Sequence, residues 1–316
     1  MSLAQWRWRE WLSRYGIALA LLALVGAAAL LSPSFLSTAN VLNVLRQISV
    51  NALLAFGMTA VIVGAGIDLS VGSVLALSGA LAAGLARDGW PPLAAMLAAL
   101  ALGALMGLFN GVFVAYARIA PFIVTLSGLT VFRGATLVYT DGRPITGVPD
   151  AFDALGNGAA LGIPMPVWVM LGFLALTHFL LRYTALGRAT YAVGGNEEAA
   201  RLSGLAVARV RLFTYGYSGF AAALAALVLT GRLNSAQPTA GAGFELDAIA
   251  AVVVGGTSLF GGRGGVIGTF FGAAIIGVLN NGMNLMDVSA FYQQIVKGGV
   301  ILGALLIDRL VSARRE

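Results

Sequence analysis

Residues 93–115 are LAAMLAALALGALMGLFNGVFVA, a stretch without a charged residue or a proline. As an α-helix this stretch is about 34 Å long, and the hydrocarbon core of a bilayer is spanned by about 20 apolar residues. It therefore predicts a transmembrane helix. Gly103, Gly107 and Gly111 recur every fourth residue, which places them on one face and predicts close packing against a neighbouring helix.

The same apolar character extends over the whole chain. Of its 316 residues, 59% are apolar and 10% are charged, whereas a soluble domain carries about 25% charged residues. The mean hydropathy is +0.89. This composition excludes an ordinary soluble enzyme and predicts an integral membrane protein. The chain has no cysteine, which excludes disulfides and thiol chemistry, and its single histidine, His178, cannot form a metal site alone.

Clusters of Gly, Pro, Asn and Asp divide the chain into apolar segments. The expected fold is all-α, a polytopic integral membrane bundle of about ten transmembrane helices in a single domain over residues 1–316. The first span ends at Leu31 and is expected to be retained rather than removed as a signal peptide. The other spans are placed at Val50–Gly66, Leu69–Ala86, Leu93–Ala115, Pro121–Thr140, Pro164–Leu181, Leu212–Thr230, Ala248–Phe260, Val266–Leu285 and Phe291–Ile307.

The basic residues predict the orientation of the bundle. With the N-terminus in the cytoplasm, 13 of the 19 Lys and Arg residues fall on the cytoplasmic side and two, Arg133 and Lys297, fall inside spans. Four fall in outer loops: Arg46, Arg87, Arg143 and Arg232. This positive-inside bias predicts a multi-pass protein with both termini in the cytoplasm. It also marks the basic residues as topology signals rather than a nucleic-acid surface.

The connection after the sixth span contains signals for a short helix. Asn196 is a good N-cap, Glu197 and Glu198 then lie in the first turn, where the helix dipole favours carboxylates, and Gly204 is a good stop. Ala199 and Leu202 fall on one face. Because two turns are too short to be stable alone in water, the helix is held either by the inner ends of its own spans or by a partner.

The same segment carries a family resemblance. Glu198-Ala199-Ala200, followed after three residues by Gly204, matches the EAA loop of ABC importer permeases. Elsewhere the chain resembles the ribose-type monosaccharide permeases of that class, in the branched-chain amino acid/ribose-type permease family. The resemblance extends from about Ser32 to Asp308, and its stretches are Gly66–Ser73, Gly194–Asn196, Ser235–Gly241, Glu245–Ala251, Gly255–Ser258, Asn280–Gly282 and Tyr292–Gln293.

The resemblance implies a subunit of an importer in the bacterial inner membrane that works by alternating access. It implies as partners a separate ABC ATPase, which binds the ATP and Mg, a periplasmic sugar-binding protein and a second copy of this chain. The expected solute is a monosaccharide, ribose, although permeases for xylose, arabinose, allose and autoinducer-2 share several of these strings. Residues 187–208 are then the cytoplasmic coupling loop, with ATPase-coupling residues Asn196, Glu197, Glu198, Ala199, Ala200 and Gly204.

The sequence contains no catalytic, metal or cofactor constellation. The glycine-rich segment 261–265 lacks the Lys that a phosphate-binding P-loop requires, and is expected to be a tight turn. The chain is therefore expected to be a transporter subunit and not an enzyme. The alternative is an ion-coupled secondary sugar transporter, which needs carboxylates within the membrane to bind its ion. The predicted spans place their carboxylates only near their ends.

Charged and hydroxyl side chains near span ends are candidates for a pathway or a gate. Asp68 either caps the span that follows, in competition with Ser70, or forms a gating contact. Arg133 is about 12 Å along the helix from the end of its span, too deep to reach water easily. It is expected to face the bundle interior, with Glu245 and Asp247 as candidate partners.

Amide side chains supply the remaining candidates. Asn280 and Asn284 are one turn apart, and either hydrogen bond between helices or line a path for a hydroxylated solute. Gln293 and Lys297 share another helix face. A structural hydrogen bond and a contact with the solute are equally good interpretations of these side chains. The loop with Asn234 and Gln237 is uncharged and polar, and suits either pathway lining or docking of a binding protein.

Overall fold

The computed structural model describes the backbone of residues 3–312 and the side chains of residues 16–303 and of Leu306. The basic side chains expected on the cytoplasmic side at Arg7, Arg9, Arg14, Arg309, Arg314 and Arg315 lie outside these described side chains. Within residues 3–312 the chain forms helices α1 Leu3–Leu31, α2 Thr38–Val63, α3 Val71–Arg87, α4 Pro92–Ala115, α5 Pro121–Thr140, α6 Asp150–Gly156, α7 Met165–Tyr183, α8 Ala185–Gly195, α9 Glu197–Leu202, α10 Val207–Leu233, α11 Phe244–Val254, α12 Val266–Leu285 and α13 Ala290–Ser312.

The strands of the described residues are two residues long and lie in three connections, α5–α6, α6–α7 and α10–α11. Strand β1, Ile145–Thr146, pairs antiparallel with β4, Ser235–Ala236, and β2, Ala159–Ala160, pairs antiparallel with β3, Ile163–Pro164. The bundle itself is therefore helical, as predicted, and the strands only pair connecting segments with one another.

Among the described residues, six helices are long and apolar enough to cross a membrane: α2, α4, α5, α7, α10 and α12. This confirms a polytopic helical membrane protein. Helix α3 has 17 residues and α11 has 11, so neither reaches that length. The count of about ten spans stays a prediction.

Two predicted boundaries are wrong by several residues. Helix α2 begins at Thr38 rather than near Val50, because the Ser37 hydroxyl accepts a hydrogen bond from the Asn40 N–H and caps it. Arg46, which the sequence placed in a loop, therefore lies inside α2. Helix α11 ends at Val254 rather than near Phe260, where consecutive turns replace the helix.

Helices α2 and α10 form the centre of the bundle. Every residue from Ile48 to Val63 is buried, as is most of α10, which matches the rule that a helix apolar on all sides is a buried one. Only 28–33% of the residues in the apolar windows of α4, α5 and α7 are buried, so these helices lie at the periphery.

Glycine permits the close approach of α4 to α10. A Cβ on Gly103 would lie 2.6 Å from the Gly219 carbonyl oxygen, and a Cβ on Gly107 would overlap with the carbonyl of Tyr215. This confirms the packing face predicted from the glycine spacing, since small residues let helix backbones meet in a membrane.

Helices α3 and α11 begin beside each other, after the non-helical segments 64–70 and 234–243. A Cβ on Gly72, near the start of α3, would overlap with the Gly241 carbonyl just before α11, so the two backbones are in direct contact there.

Candidate functional site

Helix α9 has the caps that the sequence predicted. The Asn196 side chain accepts a 2.9 Å hydrogen bond from the Ala199 N–H. Glu197 and Glu198 occupy the first turn. Gly204 follows the helix with a φ of +84°, the left-handed conformation that ends many helices.

The two faces of α9 have different environments. Ala200 is 5% exposed and packs with Val193 of α8 and Val210 of α10. Ala199 is exposed, and Leu202 is 80% exposed. The rest of the chain therefore holds α9 through Ala200. The face that carries Ala199 and Leu202 is not covered by any described part of the chain.

Ion pairs link α9 to its surroundings. Arg211 of α10 pairs with Glu197 and donates a 3.0 Å hydrogen bond to the Val114 carbonyl at the end of α4. Glu198 pairs with Arg201 within α9 itself. Pairs this exposed contribute about 0–1 kcal/mol each, and of the two it is the Arg211–Glu197 pair that connects α9 to another helix.

Helix α8 attaches this segment to the bundle. The Gly262 N–H donates a 2.9 Å hydrogen bond to the Val63 carbonyl at the end of α2, and Gly194 packs against both groups. The Tyr191 hydroxyl donates to the Gly264 carbonyl at 2.9 Å, and burial raises the pKa of this tyrosine, so its donor proton is retained at neutral pH. The glycine-rich segment 261–265 is therefore a tight turn, as predicted.

A polar cavity of about 160 Å³ lies between α2, α10, α11, α12 and α13. Its lining includes five residues predicted as pathway candidates: Asp247, Asn280, Asn284, Gln293 and Lys297. The structure thus brings together side chains that are 50 residues apart in sequence.

Hydrogen bonds organise most of these five groups. The Lys297 ammonium lies 2.9 Å from the Asp247 carboxylate, which joins α13 to α11. The Gln293 amide donates to the Asn284 side-chain oxygen at 2.8 Å. Asn280 is 5% exposed, and its side-chain oxygen has no hydrogen-bond partner in the described part of the chain. Asn284 therefore accepts a hydrogen bond from α13 and also lines the cavity.

The cavity has six further lining residues that the sequence did not single out: Gln47, Val50, Asn51, Leu229, Arg232 and Phe244. Gln47 was missed because the start of α2 was placed too late. The spacing of Gln47 and Asn51, one helical turn apart, is the signal that could have identified them.

Arg133 faces the bundle as expected, but its hydrogen bonds go to main-chain carbonyls. Its guanidinium donates to the Pro238 and Ala240 carbonyls at 2.7 and 2.8 Å, and to the Gly72 carbonyl at 3.3 Å. Glu245 attracts the Arg133 guanidinium electrostatically but forms no ion pair with it within 4 Å in the described structure, and Asp247 pairs with Lys297 instead. Arg133 instead joins the start of α3 to the segment before α11.

Asp68 does not cap α3 as predicted. Its carboxylate is fully buried and accepts hydrogen bonds from the Ser70 N–H and hydroxyl, at 3.0 and 2.6 Å, and from the Ser218 hydroxyl at 2.8 Å. Ser70, the alternative cap, makes no side-chain capping bond, and its hydroxyl accepts instead from the Asn110 amide at 2.8 Å.

Asn234 and Gln237 lie apart from the polar cavity. Asn234 ends α10 in the left-handed conformation and is exposed. Gln237 donates to the Ser235 hydroxyl at 3.0 Å beside strand β4.

Comparison with known proteins identifies a family and several permeases that are similar to this chain. Residues 40–305 match the family described as branched-chain amino acid transport system / permease component. The chain is 53% identical over 304 residues to the ribose import permease RbsC of Bacillus subtilis, with 96% of this chain and 94% of that protein covered. It is 51% identical over 301 residues to the Haemophilus influenzae ribose import permease RbsC, with 94% and 93% covered.

A more distant relative is the D-allose transport system permease AlsC of Escherichia coli, 42% identical over 301 residues, with 95% of this chain and 92% of that protein covered. No solved structure matches. The family match covers most of the chain, and the relatives align over nearly its whole length. The chain therefore belongs to the branched-chain amino acid transport system / permease component family.

Proposed function

We propose that this chain is the membrane permease of an ATP-driven importer that passes ribose across the bacterial inner membrane by alternating access. The observation that carries the proposal is the identity of 51–53% to ribose import permeases over nearly the whole chain. D-allose and xylose permeases are less similar, at 42% and 37–38%. Ribose is therefore favoured over these sugars.

The energy source in this proposal is a separate ABC ATPase that binds ATP and Mg. The sequence supports this division because it has no P-loop lysine after its glycine-rich turn. A periplasmic sugar-binding protein delivers the solute, a second copy of this chain completes the permease, and both termini are cytoplasmic.

Complementation tests the solute. The chain is expressed with its ATPase and binding protein in a bacterium that lacks ribose import, and growth on ribose is measured. Restored growth supports the proposal. Growth on D-allose or xylose, without growth on ribose, would assign a different sugar.

The coupling element in this proposal is residues 187–208, with α9 as the part that contacts the ATPase. Its support is the exposed Ala199 and Leu202 face on a helix whose opposite face is fixed by Ala200. A fixed helix transmits a push to α8 and α10, whereas a loosely attached one would absorb it. A large apolar side chain as exposed as Leu202 is typical of a protein-binding surface.

Two substitutions test the coupling role. Leu202→Asp adds a charge to the exposed face, and Glu198→Lys opposes the helix dipole by about 0.3–1 kcal/mol. Both are expected to insert normally but to lose ATPase association and ribose uptake. Leu161→Asp is the matched control, because Leu161 is equally exposed in the connection between β2 and β3. Wild-type ATPase binding by both variants would show that α9 is not the coupling element.

A further inference from the structure

We propose that the polar cavity between α2 and α10–α13 is a binding site for one neutral sugar ring, located within a single copy of the chain. The choice of ribose as the solute rests on the proposed function. The existence of the site rests on the lining of the cavity, on its volume and on one unpartnered buried oxygen.

The lining has the chemistry that hydroxyl groups require. Amide side chains reach the cavity from three helices: Gln47 and Asn51 from α2, Asn280 and Asn284 from α12, and Gln293 from α13. An amide offers both donors and an acceptor, and a hydroxyl likewise donates and accepts. Phe244 adds an apolar wall against which the C–H groups of a sugar ring can pack.

The side-chain oxygen of Asn280 is the observation that points to a ligand. It is buried and without a hydrogen-bond partner in the described part of the chain. Buried polar atoms in folded proteins are nearly always satisfied, by protein groups or by a bound molecule. A rotation of the Asn280 side chain toward the cavity would expose this oxygen, and a sugar hydroxyl there would then donate to it.

The two cations at the cavity differ in how they are compensated. The Lys297 ammonium is neutralised by Asp247 at 2.9 Å. The Arg232 guanidinium donates to the neutral Asn43 side-chain oxygen at 3.1 Å and keeps its positive charge, with Arg46 as a second cation that acts on it. The other polar groups named above are uncharged amides, which can hydrogen bond to the hydroxyl groups of a neutral sugar.

The volume limits the ligand to a single ring. An engineered cavity of about 150 Å³ in another protein holds one benzene molecule, and this cavity has about 160 Å³. Pockets for larger organic ligands are about 300–1,000 Å³. A monosaccharide is therefore expected to enter and a disaccharide to be excluded.

Direct binding to the full-length permease in lipid nanodiscs tests the site. D-Ribose is titrated in the absence of ATPase and binding protein, and saturation transfer from protein to sugar is measured by NMR. We expect a signal from D-ribose, little from maltose, and no preference for D-ribose 5-phosphate. Asn280→Leu and Gln293→Ala are each expected to weaken ribose binding by about tenfold or more.

Asn281→Ala is the matched control. Asn281 is the next residue on α12, but its amide exchanges hydrogen bonds of 2.9 and 3.0 Å with Asn40 and does not line the cavity. This variant is expected to melt at a lower temperature and to bind ribose normally. A melting curve is measured for every variant that is titrated. If Asn280→Leu does not fold, ribose binding by Gln293→Ala is the test of the site.

Three results would overturn the site: no ribose signal from the wild-type chain, wild-type binding by folded cavity variants, or stronger binding of the phosphorylated sugar. The first would mean that the cavity holds only water. Uptake by the complete transporter separates this failure from failure of the proposed function. Ribose uptake without binding to the permease would refute the site alone, whereas absent uptake would refute ribose import.

Discussion

The Ser218 hydroxyl donates a 2.8 Å hydrogen bond to the fully buried carboxylate of Asp68, which is 150 residues away in sequence. The bond joins the non-helical segment before α3 to α10, the helix that follows α9 after four residues. A displacement of α9 that moves α10 would therefore reach the start of α3 directly.

Ser218→Ala tests this connection. It removes one of the donors to Asp68 and leaves a buried carboxylate less satisfied, at a cost of about 1–3 kcal/mol. We expect a lower melting temperature and reduced ribose uptake with intact ATPase association. Ser49→Ala is the control, because the buried Ser49 hydroxyl bonds only to the Leu45 carbonyl in its own helix. Equal uptake by the two variants would disprove a special role for the Asp68 contact.

Arg133 is predicted to stabilise the junction of α3 and α11. Arg133→Leu would leave the Pro238 and Ala240 carbonyls without their donor, at about 1–3 kcal/mol for each buried group. Thermal unfolding in detergent should show a large decrease. Arg133→Lys should be intermediate, since an ammonium cannot reproduce the planar fork of donors. An unchanged melting temperature in Arg133→Leu would mean that these bonds contribute nothing.

Two adjacent glycines of α8 provide an internal comparison. A Cβ on Gly194 would overlap with the Val63 carbonyl and lie 2.8 Å from the Gly262 nitrogen, whereas the nearest atom to a Cβ on Gly195 is 4.0 Å away. Gly194→Ala should displace α8 and weaken both stability and uptake. Gly195→Ala should resemble the wild type in both assays. Identical behaviour would show that α8 is not seated against α2 as described.

The predicted orientation can be tested with reporter fusions. Alkaline phosphatase, which is active only outside the cytoplasm, is fused after Gly158 in the connection between α6 and α7 and after Gly195 at the end of α8. The first fusion should be active and the second inactive. Activity after Gly195 would invert the topology.

Features set by neighbouring residues could be predicted from the sequence. The caps of α9 depend on Asn196 and Gly204, which lie at its own ends, and the glycine face of α4 follows from helical spacing. Both were confirmed because capping and periodicity are local.

Features set by the tertiary structure could not be predicted. Glu245 was a candidate partner of Arg133 and attracts it electrostatically, but the hydrogen bonds of Arg133 go to main-chain carbonyls, which every residue has and which no sequence pattern marks. The environment of Asp68 depends on Ser218, in a distant helix. The cavity was only partly identified because its α2 side depends on where α2 begins and on how five helices converge.

The most direct test of the central claim is ribose uptake by proteoliposomes that contain the purified permease and its ATPase, with the sugar-binding protein added on the opposite side. If this chain is the permease of an ATP-driven importer, uptake requires ATP, the ATPase and the binding protein together, and the permease alone hydrolyses no ATP. Ribose uptake driven by an ion gradient through the permease without the ATPase would contradict it.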